Sequence, residues 1–433
     1  MNVHTRAFLE SARARPQQRW LRVALILTVA VSCIAFIPPL AFYGRMSNLE
    51  FALLTLGVVL LLTLLQPVPL TRVPIPTFVV ALLVVMAAST LWSYSRAETV
   101  RDVLTFVVIA LAAIVLVQIA DLNSLAIGVA LSGVILLIWC GILIVFGAES
   151  AFTVAGDLLG PYGNRNGLAY ALLQSVPAAL AMRFAWRGGV VVKWIVVVAL
   201  SVGIYATGSK TSLIALLVVG TIGLGYVLFR WRRLFGLLYA ACGVLVLVVV
   251  AWNFDSLLGL LGKSDTISGR IPMWAALIPL VAVRPLTGYG WSLSLPVGAP
   301  PSVAIQESLN GVVLYHAHNE ILNWLITTGI IGAACVLGLY CFVLWAGIRI
   351  VRSSEHRAAS WISLAVIVLV LRGLSDISET LPQGWFVLMI VGAAAAKYLT
   401  NVNSRPVSRW LVLDVGVRGT GPLGSDRNLE RVN

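Results

Sequence analysis

Tyr315-His316-Ala317-His318-Asn319-Glu320 brings two of the chain's four histidines together where a long polar loop ends and an apolar run begins. Histidine exchanges a proton near neutral pH, so His316 and His318 are candidate general bases; the plain alternative is a hydrogen-bonded histidine at an interface. A His-x-His pair also invites a metal, but a divalent site needs more ligands. The same side of the chain carries no further histidine or cysteine, leaving only carboxylates such as Glu320 and Glu379, and no metal is assigned. His318 and Gly329 are eleven positions apart, close to three helical turns. Gly332 falls about 40° off the same stripe. The spacing predicts a helix with His318 standing above two glycines that admit a neighbouring helix.

Cations are the second chemical group. Three helix starts carry polar or basic residues: Asn164-Arg165-Asn166-Gly167, Gly208-Ser209-Lys210-Thr211-Ser212 and His318-Asn319. A helix N-terminus is already partly positive and offers free N–H groups, so a cation there is unfavourable unless an anion lies between them. Converging, such ends would form an anion site suited to phosphate; the alternative is that they never meet. Arg270 could add a planar pair of donors to the same anion, or could simply pair with Asp265 or Glu307. Asp376 and Glu379 could orient a histidine or position a hydroxyl, although solvating a turn is the simplest role for both.

The elements that must position these groups are apolar helices. The chain is 60% hydrophobic and 11% charged over 433 residues. Apolar runs long enough to cross roughly 30 Å of hydrocarbon recur along it. The pattern predicts an all-α, polytopic helical membrane protein with about twelve spans: 21–43, 49–66, 74–93, 101–120, 124–147, 166–184, 188–206, 211–229, 234–252, 319–347, 358–374 and 383–399. Residues 1–20 form a cytoplasmic N-terminal segment and 21–252 hold the first nine spans. Residues 253–318 form one long outer loop, 319–399 hold the last three spans, and 400–433 make a basic cytoplasmic tail. With both termini inside, 21 of the 30 Lys and Arg residues fall on inner segments, as the positive-inside rule asks. Arg165, Lys210, Arg270 and Arg372 are among the nine left outside. In the outer loop the apolar stretch from Ser268 to Val283 is too short to span and is expected to form a short interfacial helix.

The net charge of +13 follows from basic helix ends and tails, with no soluble module large enough for nucleic acid. All five cysteines lie in apolar runs, so no disulfide is expected. The N-terminal apolar run is too long for a cleaved signal core. Gly203…Gly208-Ser209-Lys210 fails as a P-loop because Ser209 stands where lysine is required. No Asp, Glu, Lys or Arg sits well inside a predicted span, which disfavours a proton-coupled transporter.

His318-Asn319, nine residues, Gly329, two residues and Gly332 together resemble the signature of the O-antigen ligase and O-antigen polymerase superfamily of bacterial envelope proteins. The preceding Ser268-Gly269-Arg270…Trp274 and Gly288-Tyr289-Gly290 look like that family's loop pattern. The resemblance implies metal- and cofactor-independent, inverting glycan transfer at the outer face of the bacterial inner membrane. The donor would be a glycan on undecaprenyl diphosphate and the acceptor a glycan or glycolipid hydroxyl. It also implies His318 as base or orienting group and Arg270 as diphosphate clamp. Lys210 stands where the family often has arginine, keeping the charge without the bidentate geometry. Arg165, Asn319, His316 and Glu379 are further substrate-binding candidates. A ligase and a polymerase differ only in acceptor. A lipid-linked glycan flippase would need a polar path through the bundle, and a non-catalytic scaffold would leave the outer His, Lys and Arg without a role.

Overall fold

The protein was analysed as a computed structural model describing residues 16–35, 47–65, 75–184, 186, 188–232, 234–236, 238–239, 243, 270–351, 356–378 and 380–403. Most of the predicted ninth span, residues 253–269 of the loop, Asp265, Glu379 and the C-terminal tail lie outside these residues. The described chain is helical: α1 (Pro16–Ala35), α2 (Asn48–Leu64), α3 (Thr77–Ser89), α4 (Arg96–Ile119), α5 (Leu122–Val145), α6 (Arg165–Ala181), α7 (Gly189–Ala206), α8 (Lys210–Trp231), α9 (Arg270–Val283), α10 (Pro300–Ser308), α11 (Glu320–Val351), α12 (His356–Gly373) and α13 (Pro382–Asn403). Four of them, α4, α5, α7 and α11, are long and apolar enough to cross a membrane. Val190, Val191, Trp194, Ile195, Val198 and Val202 of α7 are exposed apolar side chains along one helix, as a lipid-facing surface requires. The chain is a helical membrane protein.

The core is built on α6 and α13. Almost every residue of α6 from Leu168 to Ala181 is buried, and α13 is buried from Trp385 to Ala396. Helix α13 packs on α4, α11, α12 and α1, while α6 packs on α5, α7 and α12. Cations gather at one end of the bundle. Arg22 pairs with Asp121 at 3.7 Å, Lys397 Nζ donates to Val117 O at 2.6 Å, and Asn123 Nδ2 donates to Arg183 O at 3.0 Å. The starts of α6 and α11 meet the α12–α13 turn at the other end, joined by the Arg372–Asn166, Tyr170–Ser378 and Ser378–Glu320 hydrogen bonds.

Helices α9 and α10 form a small cap with its own apolar cluster: Met273, Leu277, Leu295, Ile305, Ala317 and Ile326. The predicted short helix after Ser268 is therefore packed against α11, and Trp274 Nε1 donates to Ala317 O at 2.8 Å.

The glycine pattern works differently from the helix seam that its spacing implies. Gly329 interrupts α11 with φ 68° and ψ −167°, a backbone region open essentially only to glycine. A break inside a helix strands carbonyls that a membrane cannot satisfy. Here the Arg284–Gly290 segment supplies the partners. Tyr289 N donates to Ile326 O at 2.8 Å and Gly290 N to Thr327 O at 2.9 Å, while Ile330 N donates to Pro285 O at 2.8 Å. A Cβ on Gly329 would overlap the backbone of Leu286. A Cβ on Gly332 would meet the side chain of Thr328, just before the break. So the close neighbour of Gly329 is a loop backbone. His318 is also not on the helical stripe: it precedes α11 and has φ 46°.

The same loop is anchored below. Trp291 is fully buried and stacks on Trp324 with centroids 4.4 Å apart. Phe106 meets Trp291 edge-on at 5.2 Å, and Trp385 lies 5.1 Å from Phe106. This aromatic chain ties the loop to α4, α11 and α13.

Candidate active site

His318 occupies the left-handed region, uncommon for a residue with a Cβ. Its neighbour Asn319 caps α11, its Oδ1 accepting from Leu322 N at 2.9 Å. Capping fixes where the helix begins and thus where His318 is held. Its Nδ1 lies 3.0 Å from Asp376 Oδ1, in the turn between α12 and α13. The contact assigns the ring proton to Nδ1 and leaves Nε2 as a basic lone pair.

Asp376 is held in turn. Its Oδ2 accepts from Arg372 Nη2 at 3.0 Å, and its Oδ1 also accepts from Ile377 N at 2.9 Å. Arg372 spends its other donors on Ile377 O, at 3.1 Å from Nε, and Asn166 O, at 2.9 Å from Nη1. Its guanidinium lies over the Tyr170 ring, 4.2 Å from the centroid. Each of its three nitrogens donates one hydrogen bond within the protein, so Arg372 braces Asp376 from the wall of the cavity. Although burial opposes it, the Arg372 charge, helped by His318, holds the Asp376 carboxyl well below the usual range, so it is ionised at neutral pH.

Glu320, at the first position of α11, is buried to 1% exposure. Its carboxylate accepts from Trp324 Nε1 at 2.7 Å, from Thr380 N at 2.9 Å, and also from Ser378 N and Thr380 Oγ1. A buried carboxylate needs such partners. Two residues from His318 on one side and two from Asp376 on the other, Glu320 pins the α12–α13 turn against the histidine segment.

His316 packs edge-on to His318, with ring centroids 4.0 Å apart. Burial, assisted by His318, Arg372 and Arg270, pushes its pKa down from 6.5 to about 4. His316 is therefore neutral at working pH. Both histidines, Arg372 and Asp376 line a cavity of about 330 Å³, together with Tyr162, Tyr170 and Gln383. Burial raises the Tyr162 phenol well above its usual pKa, so it stays a donor, 3.4 Å from Gln383 Oε1.

The remaining sequence candidates distribute around this centre. Arg270 opens α9 and is half-buried; burial lowers its pKa, with Asp376 opposing and Arg372 adding to the shift. These charge effects put Arg270 in electrostatic reach of the Arg372–Asp376 pair. No ion pair joins it to Glu307 among the described residues. Lys210 is the first residue of α8 and is exposed. Next to it, Ser209 Oγ donates to Asn166 Oδ1 at 2.9 Å, so the starts of α6 and α8 do meet. Arg165 is exposed and pairs with Asp157. Glu379 lies outside the described residues.

His316, His318 and Asp376 also bring one ligand atom each within 4.8 Å of one another, a set that could accept a divalent cation. Asp376 is the third ligand that sequence reasoning lacked. Against a cation, Arg372 already neutralises Asp376, and both Arg372 and Arg270 repel positive charge from His316. The arrangement is better built for moving a proton at His318 Nε2.

Sequence reasoning passed over Tyr170, weighed Glu320 only as a metal ligand, gave Asp376 turn solvation as its simplest role with orienting a histidine as an alternative, and counted Arg372 only as an outer cation. Tyr170 OH lies 2.8 Å from Ser378 Oγ and accepts from Gln174 Nε2 at 2.8 Å, linking α6 to the same turn. The Gln174 polar break in an apolar run was the one visible signal for that contact.

Residues 195–337, from within α7 to the middle of α11, match the family model described as O-antigen ligase. The match supports the O-antigen ligase and polymerase superfamily. The matched segment contains Lys210, Arg270, His316, His318, Asn319, Gly329 and Gly332, and stops short of Arg372 and Asp376. No curated protein matches the chain.

Proposed function

We propose that this membrane protein, which carries the O-antigen ligase domain over residues 195–337, transfers a glycan from undecaprenyl diphosphate to an acceptor sugar hydroxyl. The observation that carries the reading is the His318–Asp376–Arg372 relay lining a cavity at the end of the bundle where the helix starts meet. The acceptor hydroxyl attacks the anomeric carbon, and its proton passes to His318 Nε2. The bond between that carbon and the diphosphate oxygen breaks, and the electron pair leaves with the lipid diphosphate. Attack from the face opposite the leaving group inverts the anomeric centre. Asp376 stabilises the imidazolium that forms, as a carboxylate on Nδ1 does in acyl-transfer triads. Arg270 and Lys210 hold the diphosphate and its developing charge.

The membrane placement belongs to the same proposal. About twelve spans, both termini in the cytoplasm and the reactive end at the outer face of the inner membrane satisfy the positive-inside count. A ligase uses a glycolipid acceptor; a polymerase extends another lipid-linked chain. A flippase would move the same lipid without breaking a bond.

The test uses the purified chain in lipid vesicles with an undecaprenyl-diphosphate-linked repeat unit. Longer lipid-linked chains from that substrate alone identify a polymerase. Product formed only on adding a glycolipid acceptor identifies a ligase. Translocation without any new glycosidic bond rejects the transferase reading.

A further inference from the structure

A second and larger cavity lies on the other side of the histidine segment. It measures about 620 Å³ and is formed by the start of α2, the start of α4, the 293–297 loop and Tyr315. Its size falls in the range of small-molecule sites. Tyr315 lines this cavity while His316 and His318 line the first, so one short segment divides the two.

The chemistry of the two sides differs. The first cavity is flanked by Arg372 and, within electrostatic reach, Arg270. The second presents two carboxylates, Glu98 and Asp102, against one cation, Arg101. Tyr94 and Tyr315 are exposed at its surface at 61% and 51%. A carboxylate accepts hydrogen bonds from hydroxyl and amino groups, and a tyrosine ring offers an apolar face with a polar tip. The excess of carboxylates over cations disfavours a diphosphate there.

The walls are fixed before any ligand arrives. Asp102 Oδ2 accepts from Leu293 N at 2.8 Å, leaving its other oxygen for a ligand. Leu295 N donates to Tyr315 O at 2.8 Å, and Ser302 Oγ donates to Pro296 O at 2.7 Å. Thr99 Oγ1, one helical position beyond Glu98, donates to Trp291 O at 2.8 Å and ties α4 to the loop. A preorganised wall lowers the cost of holding a flexible ligand.

We infer that this cavity is a saccharide subsite, taking uncharged or amino-bearing pyranose rings through Glu98, Asp102, Tyr94 and Tyr315 while the cationic side takes the phosphates. The inference rests on the transferase reading for its role, though not for the binding itself. The sugar comes from the donor glycan or from the acceptor, and the kinetic arms below separate the two.

The binding test uses the full chain in detergent, with methyl β-D-glucopyranoside and its 2-amino-2-deoxy counterpart as probes in saturation-transfer NMR. Both glycosides receive saturation from the wild type and from His318→Ala. In Glu98→Gln and Asp102→Asn the binding weakens about tenfold, the scale of one charge-assisted hydrogen bond. Because Asp102 also holds Leu293 N, Glu98→Gln with an unchanged melting temperature is the deciding variant. Glycoside binding by Glu98→Gln equal to wild type, or none by the wild type, overturns the subsite. In transfer assays the same variant raises KM for one substrate with kcat little changed. A rise for the lipid-linked donor assigns the ring to the donor, and a rise for the acceptor assigns it to the acceptor; unchanged KM for both overturns the subsite. If His318→Ala still transfers glycan while Glu98→Gln loses glycoside binding, the catalytic reading fails and the subsite stands.

Discussion

His318 Nδ1 and Asp376 Oδ1 meet at 3.0 Å across 58 positions of chain, one from the entry to α11 and the other from the turn between α12 and α13. The histidine and the carboxylate beside it thus arrive from different parts of the helical bundle. The site exists only when α11, α12 and α13 are assembled.

Removing either partner should therefore stop chemistry without dismantling the bundle. His318→Ala is expected to lower kcat about 10²-fold or more, the usual worth of a positioned base. Asp376→Asn keeps the shape but loses the charge that favours the imidazolium, and should fall in the same range. Glycan transfer by each purified variant checks this, with the melting temperature as control. Wild-type transfer by His318→Ala removes it from catalysis.

Arg270 and Lys210 differ in what they can lose. Arg270→Ala is expected to abolish transfer, and Arg270→Lys to restore only part of it, because an ammonium lacks the planar donor pair. Lys210→Arg should retain activity while Lys210→Ala loses it. Donor KM and kcat for the four variants decide between a diphosphate clamp and incidental surface charge. Equal activity in wild-type Lys210, Lys210→Arg and Lys210→Ala would take Lys210 out of the site.

Acid should destabilise the fold through His316. Its folded pKa is lowered from 6.5 to about 4, so between those values the unfolded chain holds a proton that the folded chain does not. Stability then rises with pH across that window and is lost as pH falls through it. Asp376, held below the ordinary carboxylate range, loses its contribution at still lower pH, in the same direction. The melting temperature should drop from pH 6.5 towards pH 4, and less steeply in His316→Gln. Parallel slopes for the two proteins would exclude His316 as the source.

Gly329 and Gly332 should respond unequally to alanine. At Gly329 a Cβ meets the fixed backbone of Leu286 in a conformation that costs an ordinary residue about 1–3 kcal/mol before the overlap is counted. At Gly332 its nearest contacts are side-chain atoms of Thr328, on the other side of the Gly329 break. Gly329→Ala should lower the melting temperature and expose the Arg284–Gly290 segment to protease, with Gly332→Ala the milder change. The reverse order would contradict the role assigned to the break.

The helical membrane class and the candidacy of His318 are legible in the sequence, because apolar run length and an isolated His-x-His pair are local signals. The sequence left open which groups lie against the histidine. Asp376 lies in Ser375-Asp376-Ile377-Ser378, which reads as any polar turn. Arg372 in the last turn of α12 and Glu320 in the first turn of α11 both look like ordinary companions of a helix dipole. Their partners become visible only when distant helices are packed together. Gly329 misled for a related reason. Spacing reports which residues share an ideal helix face, and a positive φ inside the run takes the chain off that face.

The break at Gly329 also limits which parts of this protein can be exchanged with a relative's. The Arg284–Gly290 segment and residues 326–330 each hold main-chain groups that only the other completes. A hybrid that imports a new 284–290 loop but keeps the resident α11, or the converse, would join two halves of an interrupted ladder that were never matched. Loop and helix should therefore be transplanted together, as one cassette running from Arg284 through Gly332.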